Sequence, residues 1–436
     1  MTVVVVGGGL AGLFTASELI ERGVDDVLVL EGSPVAGGVA RTIDKDGFAL
    51  EPAVGSFNLP HPHLTPLLIR AGVATASATQ ASIRYVYVDG RLVAIPISPR
   101  ALLAPVLGVQ SKLRVLLEPL VPAGRADADD SLAEFSRRRF GKQAGDLISW
   151  LMAAGVFAGD PERLSVEAAF PSLAEMERAH GSVIKAAIRR RRARPSDQAR
   201  TRVDVPKRGF SGLVDAIEDQ LGDRFQPGFA VKSVRRESQT WIVQGPERMT
   251  AKAVVLANGP HAAADLVDGE LGDVLAQGVV APVAVVFLGG SSPSPLPDGF
   301  GALVGPGEGQ STRGVLFESS YAPSRAPRGS WLAKVIVGGA TAPSAVDWDD
   351  ERLIPEVVSE VEAILGVRLV PDVVEVVRHL PGIPQYEVGH RRWLEQLERL
   401  LAAAPGLYLT GWGYRGVGVA SLATDAVRVA DAVTRS

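Results

Sequence analysis

The run Val3-Val4-Val5-Val6-Gly7-Gly8-Gly9-Leu10-Ala11-Gly12, with Glu31 closing the next apolar run, constrains this chain more than any other stretch. Four consecutive β-branched residues read as a strand buried on both faces of a parallel sheet. Gly7, Gly9 and Gly12 fill the G-x-G-x-x-G spacing of a dinucleotide-binding turn. The first glycine makes the turn, the second lets backbone approach a pyrophosphate, and the third lets the next helix sit against the strand. Leu10 and Ala11 open that helix, which the pattern places over Leu10–Arg22 before Gly23 stops it. Its free N–H groups and partial positive charge face the phosphates. Glu31 follows Val27-Leu28-Val29-Leu30 about 20 residues after the turn, where a carboxylate can accept hydrogen bonds from a ribose. The glycines alone would make only a tight βα turn; strand, helix and acid together point to a bound dinucleotide.

A chain of 436 residues is too long for one simple core, so two or three sub-domains are expected. The acidic and basic side chains, 49 against 45, give no global reason to expect nucleic acid. There is no cysteine, which removes disulfides, iron–sulfur clusters, thiolate zinc sites and dithiol chemistry together. Any redox activity must then be carried by an organic cofactor. His61-Pro62-His63 is the one close histidine pair, and its proline favours a loop over a metal site. With no basic leader before the first strand and no run of roughly 20 apolar residues, the expected location is cytoplasmic.

After Glu31 the chain reads Gly32-Ser33-Pro34-Val35-Ala36-Gly37-Gly38-Val39-Ala40-Arg41-Thr42. A second glycine pair so soon suggests a second backbone approach to one long cofactor, with Arg41 available to the pyrophosphate. Ile83–Val88, Asp89-Gly90 and Arg91–Ile95 form a hairpin signal of the type I′ kind. From Pro99 to about Ala193 the pattern turns helical, over Leu102–Val109, Lys112–Leu120, Ser131–Phe140, Asp146–Val156 and Ser172–Arg192. This block ends in the basic run Arg189–Arg194. That run is either a solvated linker or a contact for anionic lipid headgroups. Strands return at Ala253–Leu256, Pro282–Leu288, Gly314–Phe317 and Trp331–Val337. At the C-terminus the strand Leu407–Thr410 runs into Gly411-Trp412-Gly413-Tyr414-Arg415-Gly416-Val417-Gly418, followed by a helix over Ser421–Val433. No strand and acid follow this second glycine loop, so it cannot build its own nucleotide site. It reads instead as a helix N-terminus aimed at the same cofactor, as a flavin ring requires where reduction leaves negative charge.

Gly7–Gly12, Glu31 and Gly37–Thr42 resemble the flavin amine-oxidase superfamily. Phe157-Ala158-Gly159-Asp160-Pro161-Glu162-Arg163-Leu164-Ser165, Ala169-Phe170-Pro171, His180-Gly181-Ser182, Pro384–His390 and Tyr414–Val419 resemble the protoporphyrinogen oxidase family within it, a likeness that runs from residue 2 to about 433. The resemblance implies an α/β fold: a discontinuous Rossmann-like FAD-binding domain (1–75, 208–270 and 405–436), a mixed-sheet substrate domain (76–98 and 271–404) and an inserted helical sub-domain (99–207). It implies FAD as cofactor, held by Gly7, Gly9, Leu10, Ala11, Gly12, Glu31, Gly32, Gly38, Arg41, Thr42, Gly55, Ser56, Val231, Gly411, Val417, Gly418 and Val419. The implied reaction oxidises protoporphyrinogen IX or coproporphyrinogen III to the porphyrin, with Arg84 anchoring a propionate and with oxygen or another acceptor reoxidising the flavin. Possible peripheral membrane contact belongs to the same expectation. The chain departs from the family at Ala53, Trp412 and Ala420-Ser421. Another small-molecule flavin oxidase, of amine oxidase or desaturase type, and a non-catalytic flavin-binding homologue are the alternatives.

Overall fold

Val3–Val6 is the central strand of a five-stranded parallel sheet, in the order Phe225–Gln226, Val27–Leu30, Val3–Val6, Ala253–Leu256, Leu407–Leu409. This is a computed structural model that describes residues 2–96, 105–125, 128–193, 201–291 and 293–435. All four valines are buried: Val3 and Val5 face a layer of helices, and Val4 and Val6 face a layer that includes Val234, Trp241, Val243 and Ala251 of a small antiparallel meander. The helices Leu10–Glu21, Gly209–Leu221 and Val419–Arg435 form one core with it, through Leu13, Phe14, Phe210, Leu213, Leu422 and Val429 among others. The chain leaves Val3–Val6 toward Val27–Leu30 on one side and places Ala253–Leu256 on the other. The strand order therefore switches at the first strand, and ligands bind at the carboxyl ends of such a switch. The Rossmann-like fold is as the sequence implies.

A second large sheet has seven strands, in the order Val373–Pro384, Val280–Ser291, Ser330–Gly338, Thr312–Leu316, Gly301–Val304, Ile83–Val88, Arg91–Pro96. Pairing is antiparallel except between Gly301–Val304 and Ile83–Val88. The Asp89-Gly90 turn has φ of 52° and 66°, the left-handed pair that a type I′ hairpin demands. One face of this sheet packs on Asp350–Leu365 through Leu353, Val357, Val361 and Ile364. The opposite face, with Val285, Phe287 and Leu332, packs on Phe48 and Leu50 of the hairpin Ile43–Lys45 and Phe48–Leu50. A three-stranded antiparallel meander, Ser233–Glu237, Thr240–Gln244 and Arg248–Ala251, precedes the strand Ala253–Leu256. Arg202–Pro206 pairs with both Phe57–Leu59 and Thr75–Ser77 and draws the helical segment back to the first core.

Three helical expectations change. Of Leu102–Val109, residues 102–104 lie outside the described residues and 105–108 are not helical. Lys112–Leu120 divides into a helix that begins at Val109 and ends at Leu116 and a 3-10 turn at Glu118–Leu120. Ser172–Arg192 is not one helix but two, Pro171–His180 and Val183–Ala193. Gly181, at φ 64°, adopts the left-handed cap conformation that ends the first. The Ser182 hydroxyl then accepts from the Lys185 N–H and starts the second. Arg194, the last residue of the basic run, lies outside the described residues. No helix among the described residues is long and apolar enough to cross a membrane.

Candidate cofactor and active site

The N-terminal and C-terminal glycine loops meet at the carboxyl edge of the parallel sheet, because the strands that lead into them are separated by one strand only. A Cβ on Gly7 would lie 3.2 Å from the Ala257 carbonyl, and one on Gly411 would lie 3.5 Å from the Asn258 carbonyl. Asn258 therefore joins the two loops, a role its place at the end of a strand before a glycine hints at but does not define.

Within the first loop each glycine has its own reason. A Cβ at Gly12 would fall 1.9 Å from the Gly7 carbonyl oxygen, so helix and turn touch there. A Cβ at Gly9 meets nothing within 4 Å, which leaves open space beside the helix N-terminus. Gly37 donates to the Gly8 carbonyl at 2.8 Å and bridges to Gly9, so the second glycine pair lies against the first, with Gly38 exposed beside it. The Glu31 carboxylate accepts from the N–H groups of Gly8 (2.6 Å) and Ser33 (2.8 Å). A carboxylate has about four acceptor positions, so roughly two remain for a ribose. Gly32 faces Ala230, and the Phe229 N–H donates to the Glu31 carbonyl, which brings Val231 to the same edge. Val231 follows immediately, its backbone free of partners among the described residues.

Arg41 is placed beside Gly37, but its guanidinium is held by Asp215 at 3.0 Å and by the Ala36 carbonyl at 3.3 Å. Thr42 is tied into the structure rather than left open. Its N–H donates to the Ser211 hydroxyl, its Oγ1 accepts from the Ser211 N–H, and that hydroxyl donates to Glu51. Gly55 lies under Tyr321 and Arg325, with its carbonyl accepting from the Arg325 guanidinium.

The C-terminal loop is fixed from three sides. Thr410 donates to Asp425 at 2.8 Å, so the final helix Val419–Arg435 is anchored to the strand end that precedes it. The buried Tyr386 hydroxyl accepts from the Gly416 N–H (2.6 Å) and donates to the Trp412 carbonyl. His390 Nε2 lies 2.9 Å from the Tyr414 carbonyl, which can only accept, so that nitrogen carries the proton. Neither Tyr386 nor His390 stands out in the sequence except as part of a quoted motif. Burial pushes the Tyr386 phenol up and the His390 imidazole down, so both stay neutral.

These contacts join the separated motifs. The Ser165 N–H donates to the Tyr386 carbonyl, Val388 N–H donates to the Arg163 carbonyl, and Arg163 pairs with Glu387 at 2.9 Å. Phe157, Phe170, Tyr386, Tyr414, Val417 and Gly418 are among the walls of a cavity of about 500 Å³. Arg84 stands apart, on the far side of the seven-stranded sheet from Val280–Ser291. Its side chain is exposed, its guanidinium lies 5.3 Å from the Phe300 ring centroid, and it has no carboxylate partner among the described residues. Desolvation beside that ring pushes its pKa down. By strand alternation Arg84, Gly301, Leu316 and Lys334 share the sheet face that receives residues 51–55.

The residues fit a bound FAD. Gly9 offers a cradle that a Cβ would fill, and among the described residues Val231 has free backbone groups and three buried polar atoms at the meeting loops, Trp412 Nε1, Tyr414 Oη and Asn258 Oδ1, have no partner. Two helix N-termini, at Leu10 and Val419, point their free N–H groups at one edge.

Comparison with known proteins agrees. The profile of the family described as flavin containing amine oxidoreductase matches residues 10–434. The coproporphyrinogen III oxidase of Bacillus subtilis (strain 168) is 28% identical over 448 residues, covering 96% of this chain and 94% of its own. The chloroplastic protoporphyrinogen oxidase of Oryza sativa subsp. japonica is 29% identical over 453 residues, covering 95% and 84%. A crystal structure from Exiguobacterium sp. 255-15 superposes with a TM-score of 0.83 at 25% identity, over 99% of this chain and 98% of that one. The chain therefore belongs to the flavin containing amine oxidoreductase family, as an oxidoreductase whose cofactor is FAD.

Proposed function

We propose that the protein oxidises a porphyrinogen, protoporphyrinogen IX or coproporphyrinogen III, to the corresponding porphyrin in haem biosynthesis. The observation that carries this reading is the convergence of distant motifs. Residues 157–165, 384–390 and 414–419, which resemble porphyrinogen oxidases, are hydrogen-bonded to one another beside the C-terminal loop. The names of the relatives from Bacillus subtilis and Oryza sativa point the same way.

When bound, the flavin supplies a two-electron acceptor at N5 for hydrogen removed from a methylene carbon, with oxygen or another acceptor closing the cycle. Aromatisation drives the reaction, so the chain has little acid–base work to do. Its residues hold the cofactor at the sheet edge, keep water from the reacting face with aromatic and aliphatic walls, and orient a large anionic substrate. Arg84 has no carboxylate of its own, and it sits on an aromatic ring that limits its hydration; such a guanidinium suits bidentate contact with a propionate.

We also infer peripheral contact with a membrane through the helical segment. Val109, Leu113, Leu116, Leu117 and Leu120 are between 53% and 77% exposed, the first three on the helix Val109–Leu116 and the last two at its cap and on the turn Glu118–Leu120 that follows. The helix Val183–Ala193 packs by its first turn on Glu118 and carries Arg190, Arg191 and Arg192 in its last turn.

The test is anaerobic addition of each porphyrinogen to the purified yellow protein. The visible flavin band is expected to bleach as porphyrin fluorescence rises. Flavin that stays oxidised with both porphyrinogens would sink the reading and favour another oxidase chemistry or a non-catalytic role.

A further inference from the structure

The segment leading to Gly55 and Ser56 is held by an unusual set of donors. Its carbonyls at Glu51, Pro52, Ala53 and Gly55 all accept from cationic or imidazole side chains of the substrate-side domain. Lys334 Nζ donates to Glu51 at 2.7 Å and to Ala53 at 3.0 Å. His379 Nε2 lies 3.2 Å from the Pro52 carbonyl and must therefore be the protonated nitrogen. Arg325 donates to the Gly55 carbonyl while its other amino group engages Glu318 and the Tyr321 hydroxyl, the latter at 2.9 Å. Lys334 and Arg325 are both more than nine-tenths buried. They come from different elements: Lys334 from the strand Ser330–Gly338, His379 from Val373–Pro384, and Arg325 from the turn at Pro323–Arg325.

A strand lysine on an apolar sheet face is costly to bury, and a surface role would not require it. Glu318 lies close enough to compensate Lys334 and Arg325, and Glu51 lies nearby with its carboxyl pushed up to about 7 by burial. Glu51 also ties the segment to the first domain, through the Phe210 N–H at 3.0 Å and Thr42 Oγ1 at 3.1 Å. Residues 51–55 are thus pinned on their carbonyl side by one domain and through the Glu51 carboxylate by the other. With the carbonyls turned toward the cations, the segment reaches Gly55 and Ser56 in a fixed orientation, and Ser56 itself makes no hydrogen bond among the described residues.

We propose that Lys334, His379 and Arg325 are positioning residues for the cofactor. They hold residues 51–56 so that Gly55 and Ser56 present their backbone to FAD, and the substrate-side sheet thereby sets cofactor affinity. Lys334 is the centre of this arrangement because it alone holds two carbonyls. The inference rests on FAD lying against Gly55 and Ser56. It does not depend on which substrate is oxidised, so it is tested with no substrate present.

The experiment strips FAD from the full-length protein and titrates it back into wild type, Lys334→Met, Lys334→Arg and His379→Leu, following flavin fluorescence and the visible spectrum. Lys334→Met is expected to raise the FAD dissociation constant at least tenfold and to move the spectrum of the bound flavin toward that of free FAD. Lys334→Arg, which keeps the donors, is expected to restore most of the affinity and the spectrum. His379→Leu removes one contact and should act in the same direction by about threefold. Wild-type affinity and spectrum in Lys334→Met would overturn the proposal. So would weaker binding with an unchanged spectrum and no rescue by arginine, the signature of a merely structural lysine. If Lys334→Met does not fold, His379→Leu decides, and unchanged affinity and spectrum there overturn the proposal.

Discussion

Gly9 and Gly12 sit three residues apart in one turn and answer to different constraints. A Cβ at Gly12 would collide with the Gly7 carbonyl, whereas one at Gly9 would enter open space, and Gly9 has a φ of −72° that any residue adopts. Gly12→Ala should therefore damage the fold itself, by about 1–3 kcal/mol or more as overpacking does. Gly9→Ala should leave the melting temperature of the FAD-free protein unchanged while weakening FAD binding more than tenfold. Thermal unfolding and FAD titration of the two variants separate these outcomes; equal melting losses would show that Gly9 serves packing rather than the ligand. Arg84 is the residue that tests the proposed substrate side. A charge-assisted hydrogen bond of about 1.5–3 kcal/mol corresponds to roughly 10- to 100-fold in binding. Arg84→Ala should raise the porphyrinogen KM within that range and leave flavin content alone. Lost flavin in this variant would remove Arg84 from the substrate side.

At the level of elements, legibility followed the strength of the pattern. Val3–Val6, Ala253–Leu256 and Leu407–Leu409 read as buried parallel strands because they are short apolar runs ending in turn residues, and they pair as such. The hairpin at Asp89-Gly90 was equally plain. Val373–Pro384 left no expectation, although it is 12 residues long. It is an edge strand with Glu375, Arg378 and His379 in it and a proline at each end of its last turn of sequence, so no clean alternation survives. Phe57–Leu59, Thr75–Ser77 and Arg202–Pro206 are too short to show a period, and their pairing spans more than a hundred residues. The two glycine loops were legible as tight turns between a strand and a helix because such a turn constrains several neighbours in sequence. The donors to residues 51–55 were not. Lys334, His379 and Arg325 act on backbone carbonyls some 270–330 positions away, and a carbonyl leaves no residue type to recognise. Tyr386 escaped for the same reason, since both of its partners are main-chain groups.

The whole molecule adds a surface that neither cofactor nor substrate explains. Val109, Leu113, Leu116, Leu117 and Leu120 follow one another at helical spacing, while Val115 on the inner side packs with Phe140 and Ala144. The buried Glu118–Arg139 pair fixes this stripe in place, and Glu118 also accepts from the N–H groups of Val183 (3.0 Å) and Ile184 (3.2 Å). The helix Val183–Ala193 is thereby locked beside the stripe, with Arg191 and Arg192 exposed and without carboxylate partners among the described residues. The exposed apolar side chains and the exposed arginines in the last turn of Val183–Ala193 are the two features that a surface of anionic lipid headgroups would engage. Each leucine contributes about 1.5–3 kcal/mol when fully buried, and each arginine near such a surface about 1 kcal/mol. The protein should therefore co-sediment with vesicles containing phosphatidylglycerol more than with neutral phosphatidylcholine vesicles, and salt should weaken the difference, since only the arginine contribution is screened. Replacing Leu113, Leu116 and Leu120 together by serine should abolish co-sedimentation with both kinds of vesicle. The same variant should keep its FAD and its turnover of porphyrinogen dispersed in detergent, because these side chains make no contact with the glycine loops. A wild-type protein that stays in the supernatant with anionic vesicles at low salt would remove the membrane from the proposal and leave the stripe as a contact for another protein surface.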